Sequence, residues 1–305
     1  MHRYIAVGIL RAIISLFVVS VIVFVLVRLS GDPTDMMLSE VATKEDQAVL
    51  QAYLGLDRSW PEQYLMFASR ASRGDFGRSV RFERPAVAIV LERFPATIQL
   101  VGVSFLLALL LSVPIGVYSA VRRGGALDYA SRLFAGLGQA IPPFWLGLVL
   151  ILGFGVYLRM LPTSGHGSPS HIVLPAITLG WFVSVGMMRL TRSSMLDVLG
   201  TEYIKLARIK GLPERQVIWK HAFKNAALPV LTFAAILVVN MINGAVVVET
   251  VFGWPGVGSL VIEAVNNRDY PVVQTAVLFV SAIFAVSSLL VDVLYGFLNP
   301  KLRVS

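Results

Sequence analysis

The chain has no cysteine and few charged residues, and both shortages narrow what it can be. Without cysteine, its 305 residues form no disulfide and no thiolate metal site. Charged residues make up only 14% of the chain, whereas 56% of the residues are hydrophobic and the mean hydropathy is +0.74. This composition is too apolar for an ordinary soluble protein, so it predicts an integral membrane protein.

The residues needed for several common chemistries are missing as well. No Gly-Lys dipeptide occurs, which excludes the phosphate-binding loop that ends in Gly-Lys-Ser/Thr. His166 and His171 share a loop without a carboxylate beside them, so we interpret them as solvated residues rather than metal ligands. The net charge of +8 comes from basic residues that flank apolar runs, a pattern unlike a nucleic-acid surface. We predict no enzymatic activity, no metal, no cofactor in this chain and no nucleic-acid partner.

Six apolar runs are present, each near the length of about 20 residues that crosses a bilayer. The first is not a cleavable signal peptide, because Gly31-Asp32-Pro33 follows it instead of a small-residue cleavage site. The third contains Pro142-Pro143, which predicts a break or kink that could serve a translocation path or packing alone. We predict spans at Ile9–Leu29, Ile98–Ala120, Leu133–Leu158, Ile172–Met188, Pro229–Val248 and Val272–Leu298.

The distribution of basic residues orients these spans, because Lys and Arg are retained on the cytoplasmic side. An even number of spans puts both termini on one side. The segment 31–95 is long and carries more acid than base, so we place it outside the cell membrane. The predicted cytoplasmic face carries Arg3, Arg11, Arg122, Arg123, Arg132, Lys301, Arg303 and the basic residues of the central loop.

The outer segment also carries start and stop signals for short helices. Thr43 could cap a helix that closes at Gly55, and Ser59 with Pro61 could start a second helix that Gly74 ends. We therefore predict a small helical scaffold there.

The segment from Glu202 to Pro229 is the most elaborate polar sequence in the chain. Upstream and within it, the apolar residues Leu196, Leu199, Tyr203, Leu206 and Ala207 recur at helical spacing, with Gly200 as the weak point. Gly211 suits a left-handed stop, and Pro213 suits the first turn of a new helix. The pattern predicts a basic helical hairpin, which could dock a partner or bind anionic lipid headgroups.

Few polar groups fall within the spans, where ionisable residues are expensive and mark ion or proton paths. Asp292 lies clearly inside a span, and Glu249 lies near the outer end of the fifth. Asn240 and Asn243 share one face of that span, where they could line a path or form hydrogen bonds between helices. A proton-coupled carrier is expected to show more such groups.

Several segments resemble a known family. Ala207, Gly211 and Leu228-Pro229 resemble the EAA loop of permease subunits in binding-protein-dependent ATP-binding cassette importers. Lys205 and Leu206 depart from the general motif, as does the longer gap after Gly211, and the dipeptide, oligopeptide and nickel permease branch shares these departures. Further matches to that branch cover the chain: Gly31-Asp32-Pro33, Leu54-Gly55-Leu56-Asp57, Gly74-Asp75-Phe76-Gly77, Met188–Met195, Glu249–Phe252, Trp254–Gly258, Arg268-Asp269-Tyr270-Pro271 and Asp292–Pro300.

The resemblance implies an all-α polytopic permease in a bacterial inner membrane, with six spans, a cytoplasmic coupling hairpin and a helical scaffold outside. It divides the chain into 1–30, 31–95 and a permease core over 96–305, with the coupling loop at about 189–228. Its partners are a homologous permease, two ATPase subunits that hold ATP and Mg, an outer binding protein and membrane lipid. The residues implied for ATPase coupling are Glu202, Tyr203, Lys205, Leu206, Ala207, Arg208, Lys210, Gly211, Leu228 and Pro229, and those for the path or outer gate are Asn240, Asn243, Glu249, Phe252, Trp254 and Pro255.

Two other functions stay open at the level of the sequence. One is a self-contained channel or secondary carrier that needs no ATPase, and the other is a membrane-anchored scaffold without transport. The cargo is not specified by the residues: dipeptides, longer peptides, glutathione-like peptides and nickel chelates all remain candidates, with peptides the preferred expectation.

Overall fold

The structure is a computed structural model that describes residues 2–29 and 57–298. The predicted helix from Thr43 to Gly55 and the motif Gly31-Asp32-Pro33 lie outside the described residues, as does the side chain of Asp292. In the described residues the fold is all-α, as predicted. The helices are α1 (His2–Leu29), α2 (Trp60–Ala71), α3 (Ala86–Val121), α4 (Ala126–Ala140), α5 (Pro143–Leu150), α6 (Val173–Leu199), α7 (Glu202–Ile209), α8 (Phe223–Phe252), α9 (Val257–Asn266) and α10 (Tyr270–Leu298).

Five helical segments of the described chain are long and apolar enough to cross a membrane, and a sixth is present if one bent pair counts as a span. That pair is α4 followed by α5 and a π-helical turn at Ile151–Tyr157, with a bend of 107° between its arms. The bend confirms the break predicted at Pro142-Pro143. Pro142 is extended, with φ −64° and ψ 139°, because a residue before proline disfavours the helical region.

The helices run further than the apolar runs alone suggested. α3 begins at Ala86 rather than near Ile98, and α6 continues beyond Met188 to Leu199. Glu92, Arg93 and Pro95 interrupt the apolar residues of the α3 extension, and Arg189, Arg192 and Asp197 do so in the α6 extension, so a hydropathy criterion ends before the helix does. Pro229 lies inside α8 near its first turns, where the missing N–H removes only one backbone hydrogen bond.

The chain divides into two compact units. The first unit comprises residues 1–96 and 255–289, and the second comprises 97–254 and 290–305. The core of the first unit joins α1 to α3, α9 and α10 through buried apolar side chains. Its buried members are Val23, Val27, Ala86, Ile89, Val90, Val257, Leu260, Ala264, Tyr270, Val272, Val273 and Ala276.

The segment after α1 in the first unit contains the predicted helix with Ser59 before it and Pro61 in its first turn. The Ser59 N–H donates to Glu62 Oε2 at 3.2 Å, and Gly74 ends the turn after the helix with φ +79°. The following loop is held by the buried carboxylate of Asp269. It accepts the Ser79 hydroxyl and the N–H groups of Val80 and Arg81, the latter two at 3.3 and 3.4 Å.

The second unit is built around α6 and α8, whose inward faces carry most of its buried residues. α3 packs closely on α6, because a Cβ at Gly180 would lie 2.8 Å from the Ser104 carbonyl oxygen. α4 packs on α6 as well, with the Phe134 and Trp181 rings 4.4 Å apart. Between α6 and α8 the chain forms a helical hairpin over residues 201–222.

Candidate docking hairpin

The hairpin (residues 201–222) begins where α6 stops at Gly200, the predicted weak point. Thr201 is extended, with φ −77° and ψ 153°, and its carbonyl accepts the N–H groups of Ile204 and Lys205 at 3.2 and 3.3 Å. Its hydroxyl donates back to the Val198 carbonyl at 2.6 Å. These bonds let the chain leave α6 and start α7 within two residues. The sequence pattern leaves one helix or two open over this segment, and the structure has two.

The tip of the hairpin is a Schellman turn centred on Gly211. The Gly211 N–H donates to the Arg208 carbonyl at 2.9 Å, and the Leu212 N–H donates to the Ala207 carbonyl at 3.3 Å. Gly211 has φ +75°, a left-handed conformation that glycine adopts without a Cβ penalty. The left-handed stop predicted at Gly211 is confirmed. Pro213 lies one position before the next helix, which starts at Glu214, rather than inside its first turn.

One face of α7 is buried against the rest of the second unit. Ile204 is fully buried and Ala207 is 7% exposed, and they belong to one apolar cluster. Tyr203 and Leu206, which the sequence pattern grouped with the apolar stripe, are exposed instead. The buried members of this cluster are Val117, Ala120, Met195, Ile204, Ala207, Val217, Ile218, Ala222 and Ala226.

Polar contacts tie the two arms of the hairpin together. Arg208 donates to both carboxylate oxygens of Glu214 across the turn, at 2.7 and 3.2 Å. This bidentate hydrogen bond raises the pKa of the Arg208 guanidinium. The Asn225 amide donates to the Tyr203 hydroxyl at 2.8 Å and to the His221 carbonyl at 3.1 Å. An exposed ion pair alone contributes little, but together with the turn these contacts fix the spacing of the arms.

The outward face of α7 presents apolar side chains among cations. Ile209 is 80% exposed and Leu206 is 55% exposed. Lys205, Arg208 and Lys210 are exposed around them, and Lys205 pairs with the adjacent Glu202 at 2.7 Å. Large exposed apolar groups rimmed by polar residues mark interaction sites. Ile209 was not among the residues predicted from the sequence. A helical wheel that places Ile204 and Ala207 on the buried face puts Ile209 on a different face, and this could have indicated its exposure.

The remaining residues implied for coupling lie on α8 rather than in the hairpin. Leu228 and Pro229 are both exposed, and the Leu228 carbonyl accepts the Thr232 hydroxyl at 3.1 Å. Neither residue belongs to the apolar cluster that packs α7. The structure therefore brings Glu202 through Gly211 together in the hairpin, whereas Leu228-Pro229 lies one turn beyond Asn225, the α8 residue that contacts Tyr203.

The residues implied for the path or outer gate divide into two groups. Asn240 and Asn243 are exposed on one face of α8. Glu249, in contrast, is fully buried, and its Oε1 accepts the Thr97 hydroxyl at 2.6 Å. Phe252 and Trp254, which follow Glu249 in the sequence, are also buried, and Pro255 is half-buried.

A loop before α6 covers this buried turn in the second unit. The Gly165 N–H donates to the Phe252 carbonyl at 2.9 Å, and the His166 ring meets the Trp254 ring edge-on at 4.6 Å. Within the described residues, no group of three His, Asp or Glu side chains is placed to hold a metal ion. The turn from Glu249 to Trp254 is thus a packed structural element in this chain.

Comparison with known proteins identifies the family. Residues 112–304 match the family described as "Binding-protein-dependent transport system inner membrane component", and residues 1–101 match the corresponding N-terminal region. The chain belongs to this permease family. The resemblance inferred from the motifs is therefore confirmed, and the chain is a multi-pass inner membrane transport component, not an enzyme.

Relatives of this permease cover nearly its whole length. It is 39% identical to the glutathione transport system permease protein GsiC of Escherichia coli (strain K12) over 304 residues, which are 99% of each chain. It is 36% identical to the probable peptide ABC transporter permease protein y4tP of Sinorhizobium fredii, over 97% of this chain and 98% of the relative. The permease thus aligns with these proteins from end to end, hairpin included.

Proposed function

We propose that this permease imports di- or oligopeptides, glutathione-like peptides among them, as one of two membrane subunits of an ATP-driven importer. A homologous permease forms the path with it, two ATPase subunits bind ATP and Mg, and an outer binding protein delivers the cargo. The relatives named for glutathione and for peptides support this cargo class. The observation that carries the coupling role is the rigid hairpin with Ile209 and Leu206 exposed at its outer face.

The proposed orientation puts the hairpin and both termini in the cytoplasm. Lys205, Arg208, Lys210 and Lys220 are all exposed on or next to the hairpin, against the exposed acids Glu202 and Glu214. Because Lys and Arg are retained on the cytoplasmic side, this excess supports an inward-facing hairpin. The segment 31–95 then forms the scaffold outside, and residues 96–305 form the permease core.

The chemistry of the hairpin defines what its partner must offer. Burial of the Ile209 side chain would contribute about 1.5–3 kcal/mol, so the ATPase groove should be apolar at its centre. The cations around Ile209 favour acidic residues at the groove's rim, which would guide encounter and orientation. The Schellman turn and the Arg208–Glu214 contact keep the hairpin from bending when the ATPases close around ATP.

The exposed face of α8 supports a path role for Asn240 and Asn243. Amide side chains facing hydrocarbon would leave their hydrogen-bonding groups unsatisfied, which is costly in a bilayer. They therefore require either the second permease or a water-filled path beside them. Glu249, Phe252, Trp254 and Pro255 would shape the outer end of that path through packing rather than by direct exposure.

The first experiment is affinity purification of the tagged chain from its native membrane in mild detergent, followed by mass spectrometry. We expect a second six-span permease and two ATPase subunits that carry phosphate-binding loops. Recovery of the chain alone, monodisperse and intact, would instead support a self-contained channel or carrier. Uptake that persists without ATP while the proton gradient is clamped would support the same alternative.

A lipid-binding role for the hairpin is tested separately. The purified permease, wild-type or Ile209→Ser, is mixed with the ATPase subunits and with vesicles that either contain or lack anionic lipid. Capture of the ATPase and binding to the vesicles are both measured. ATPase capture that depends on Ile209 and not on anionic lipid supports coupling. Vesicle binding that depends on anionic lipid, with no ATPase capture, would replace it.

A further inference from the structure

The apolar cluster that holds α7 does not include every helix of the second unit. Its members, buried and partly buried, come from α3, α6, both arms and the tip of the hairpin, and the first residues of α8. None comes from α4 or α5, the two arms of the bent span. Displacement of α7 therefore reaches α3, α6 and α8 by direct packing, and it reaches α4 through the contacts that α4 makes with α6.

Asp128, in the first turn of α4, makes the contact between α4 and α6 that lies nearest the hairpin. Its carboxylate is 1% exposed and receives Arg192 of α6 at both oxygens, Nε at 2.6 Å and Nη2 at 3.1 Å. It also accepts the Gly124 N–H at 3.0 Å, and Arg132 of its own helix lies at 3.5 Å. Arg192 lies two turns before the end of α6, where the hairpin begins.

The other contacts between α4 and α6 lie farther from the hairpin along both helices. Trp181 donates from its indole nitrogen to the Gly138 carbonyl at 3.2 Å, and Val185 leaves no room for a Cβ at Gly138. Arg189 of α6 donates to the side-chain oxygen of Gln139 near the end of α4 at 2.7 Å, a charge-assisted bond with a neutral partner. Ser119 of α3 and Ser131 of α4 add one neutral hydrogen bond of 3.0 Å. The Asp128–Arg192 pair is thus the charged and bidentate contact of α4 nearest the hairpin.

The Asp128 carboxylate is buried and the Arg192 side chain is 20% exposed, and an ion pair with a buried member is a poor means of adding stability, because desolvation offsets most of its Coulomb attraction. Its directional strength is better suited to holding two elements in one register. The bidentate geometry allows neither sliding nor rotation of α4 against α6 without breaking two charged hydrogen bonds.

Resting on the proposed function, we propose that the Asp128–Arg192 pair is the link that makes α4 move with the hairpin during ATP-driven transport. Asp128 and Arg192 are positioning residues that contact neither cargo nor nucleotide. When α7 is displaced, α6 moves with it. The ion pair between Arg192 and Asp128 then makes α4, the first arm of the bent span, move with α6. Loss of the link uncouples this arm from the ATPases while the hairpin still docks.

The test uses the assembled importer in proteoliposomes. This chain has no native cysteine, and any cysteines of the partner subunits are replaced by serine before labelling. Spin labels are attached at Ala130→Cys on α4 and Asp197→Cys on α6, both exposed positions. Their separation is measured by pulsed electron paramagnetic resonance without nucleotide and after trapping with ATP and vanadate. We expect the same separation in both states for the wild-type background, and a change of about 1–2 Å or a broader distribution for Arg192→Gln.

Arg132→Gln is the matched control, because it removes a cation from the same carboxylate but breaks no contact between helices. It should behave like the wild-type background. Glutathione uptake per ATP hydrolysed, with glutathione as the probe, should fall roughly fivefold or more in Arg192→Gln only. If Arg192→Gln fails to assemble, the double variant Asp128→Asn/Arg192→Gln, which leaves no unpaired charge, replaces it.

The outcomes separate this inference from the proposed function. A wild-type complex that contains no ATPase or does not hydrolyse ATP overturns the proposed function. A wild-type complex that hydrolyses ATP while Arg192→Gln keeps both a constant label separation and a normal coupling ratio overturns the link alone. A label separation that already changes in the wild-type background also overturns it, because α4 and α6 then do not move as one.

Discussion

Substitution of Gly211 by aspartate is the sharpest perturbation of the hairpin for which we propose a coupling role. The residue has φ +75°, and no heavy atom lies within 4 Å of the position that a Cβ would take. The substitution therefore causes no clash, and its cost within the chain is the left-handed backbone alone, about 1–2 kcal/mol for an L residue. Such a cost leaves the apolar spans and membrane insertion intact.

The larger effect is expected at the docked interface. An aspartate at the tip puts an unpaired carboxylate into a groove that we propose to be apolar with an acidic rim. A charge that is buried without a partner costs about 3–5 kcal/mol. This cost corresponds to a loss of about a hundredfold or more in the affinity of the hairpin for the ATPase. Gly211→Asn, which tolerates the left-handed region and adds no charge, should retain most of the binding.

The assay compares these variants for membrane insertion, capture of the ATPases and ATP-driven uptake. Gly74→Asp is the matched control, because Gly74 has φ +79° and equally open space but lies outside the hairpin. We expect Gly211→Asp to insert normally, capture little ATPase and lose transport, and Gly74→Asp to transport.

Wild-type uptake by Gly211→Asp would refute the coupling role of the hairpin. Equal losses of uptake in Gly211→Asp and Gly74→Asp would also refute the coupling role. They would show that strain of a left-handed backbone, at any position, causes the loss.

Three further predictions concern other parts of the chain. Ile209→Glu should leave stability within about 0.5 kcal/mol, because the side chain is 80% exposed, yet weaken ATPase capture by roughly tenfold or more in a pull-down titration. Asn240→Leu and Asn243→Leu should each lower uptake roughly two- to tenfold, from about 0.5–1.5 kcal/mol of lost hydrogen bonding, with ATPase capture unchanged; unchanged uptake in both would remove them from the path. Asp269→Asn should weaken the hold on Ser79 and its loop by about 1.5–3 kcal/mol, measured as faster tryptic cleavage after residue 81 than in the wild-type chain, and equal cleavage rates would contradict this.

The sequence was most informative where a local rule determines the backbone. Gly211 and Pro142-Pro143 each act through their own φ/ψ limits, so the turn and the bend followed from these residues alone. Gly200 has φ −78° and ψ −9°, which any residue can adopt, so its role at the end of α6 is a weak helix propensity. Ser59 and Pro61 predicted the start of α2 for the same reason.

The sequence was less informative where tertiary packing decides. Spacing alone grouped Tyr203 and Leu206 with Ala207, but packing against α3 and α8 selects Ile204 and Ala207 as the buried face. For Glu249 the sequence left the membrane interface and the protein interior open, and its fully buried position and its bond from Thr97, which is distant in sequence, come from tertiary packing. The Asp128–Arg192 pair is likewise 64 residues apart, and no periodicity links two such positions.

The anchoring of the Ser79 loop by Asp269 has a consequence for how the protein is made. The two residues are 190 positions apart, and α1 shares its buried core with side chains of α9 and α10. At the usual synthesis rate of about 5–20 residues per second, roughly 10–40 s pass between the emergence of the loop and that of its carboxylate partner. During that interval the first helix and the Ser79 loop lack their final contacts, so the first unit matures only after the last helix has been inserted. A chain truncated before Asp269 should therefore be recognised by membrane quality control as unfinished, even though most of its spans are already in place.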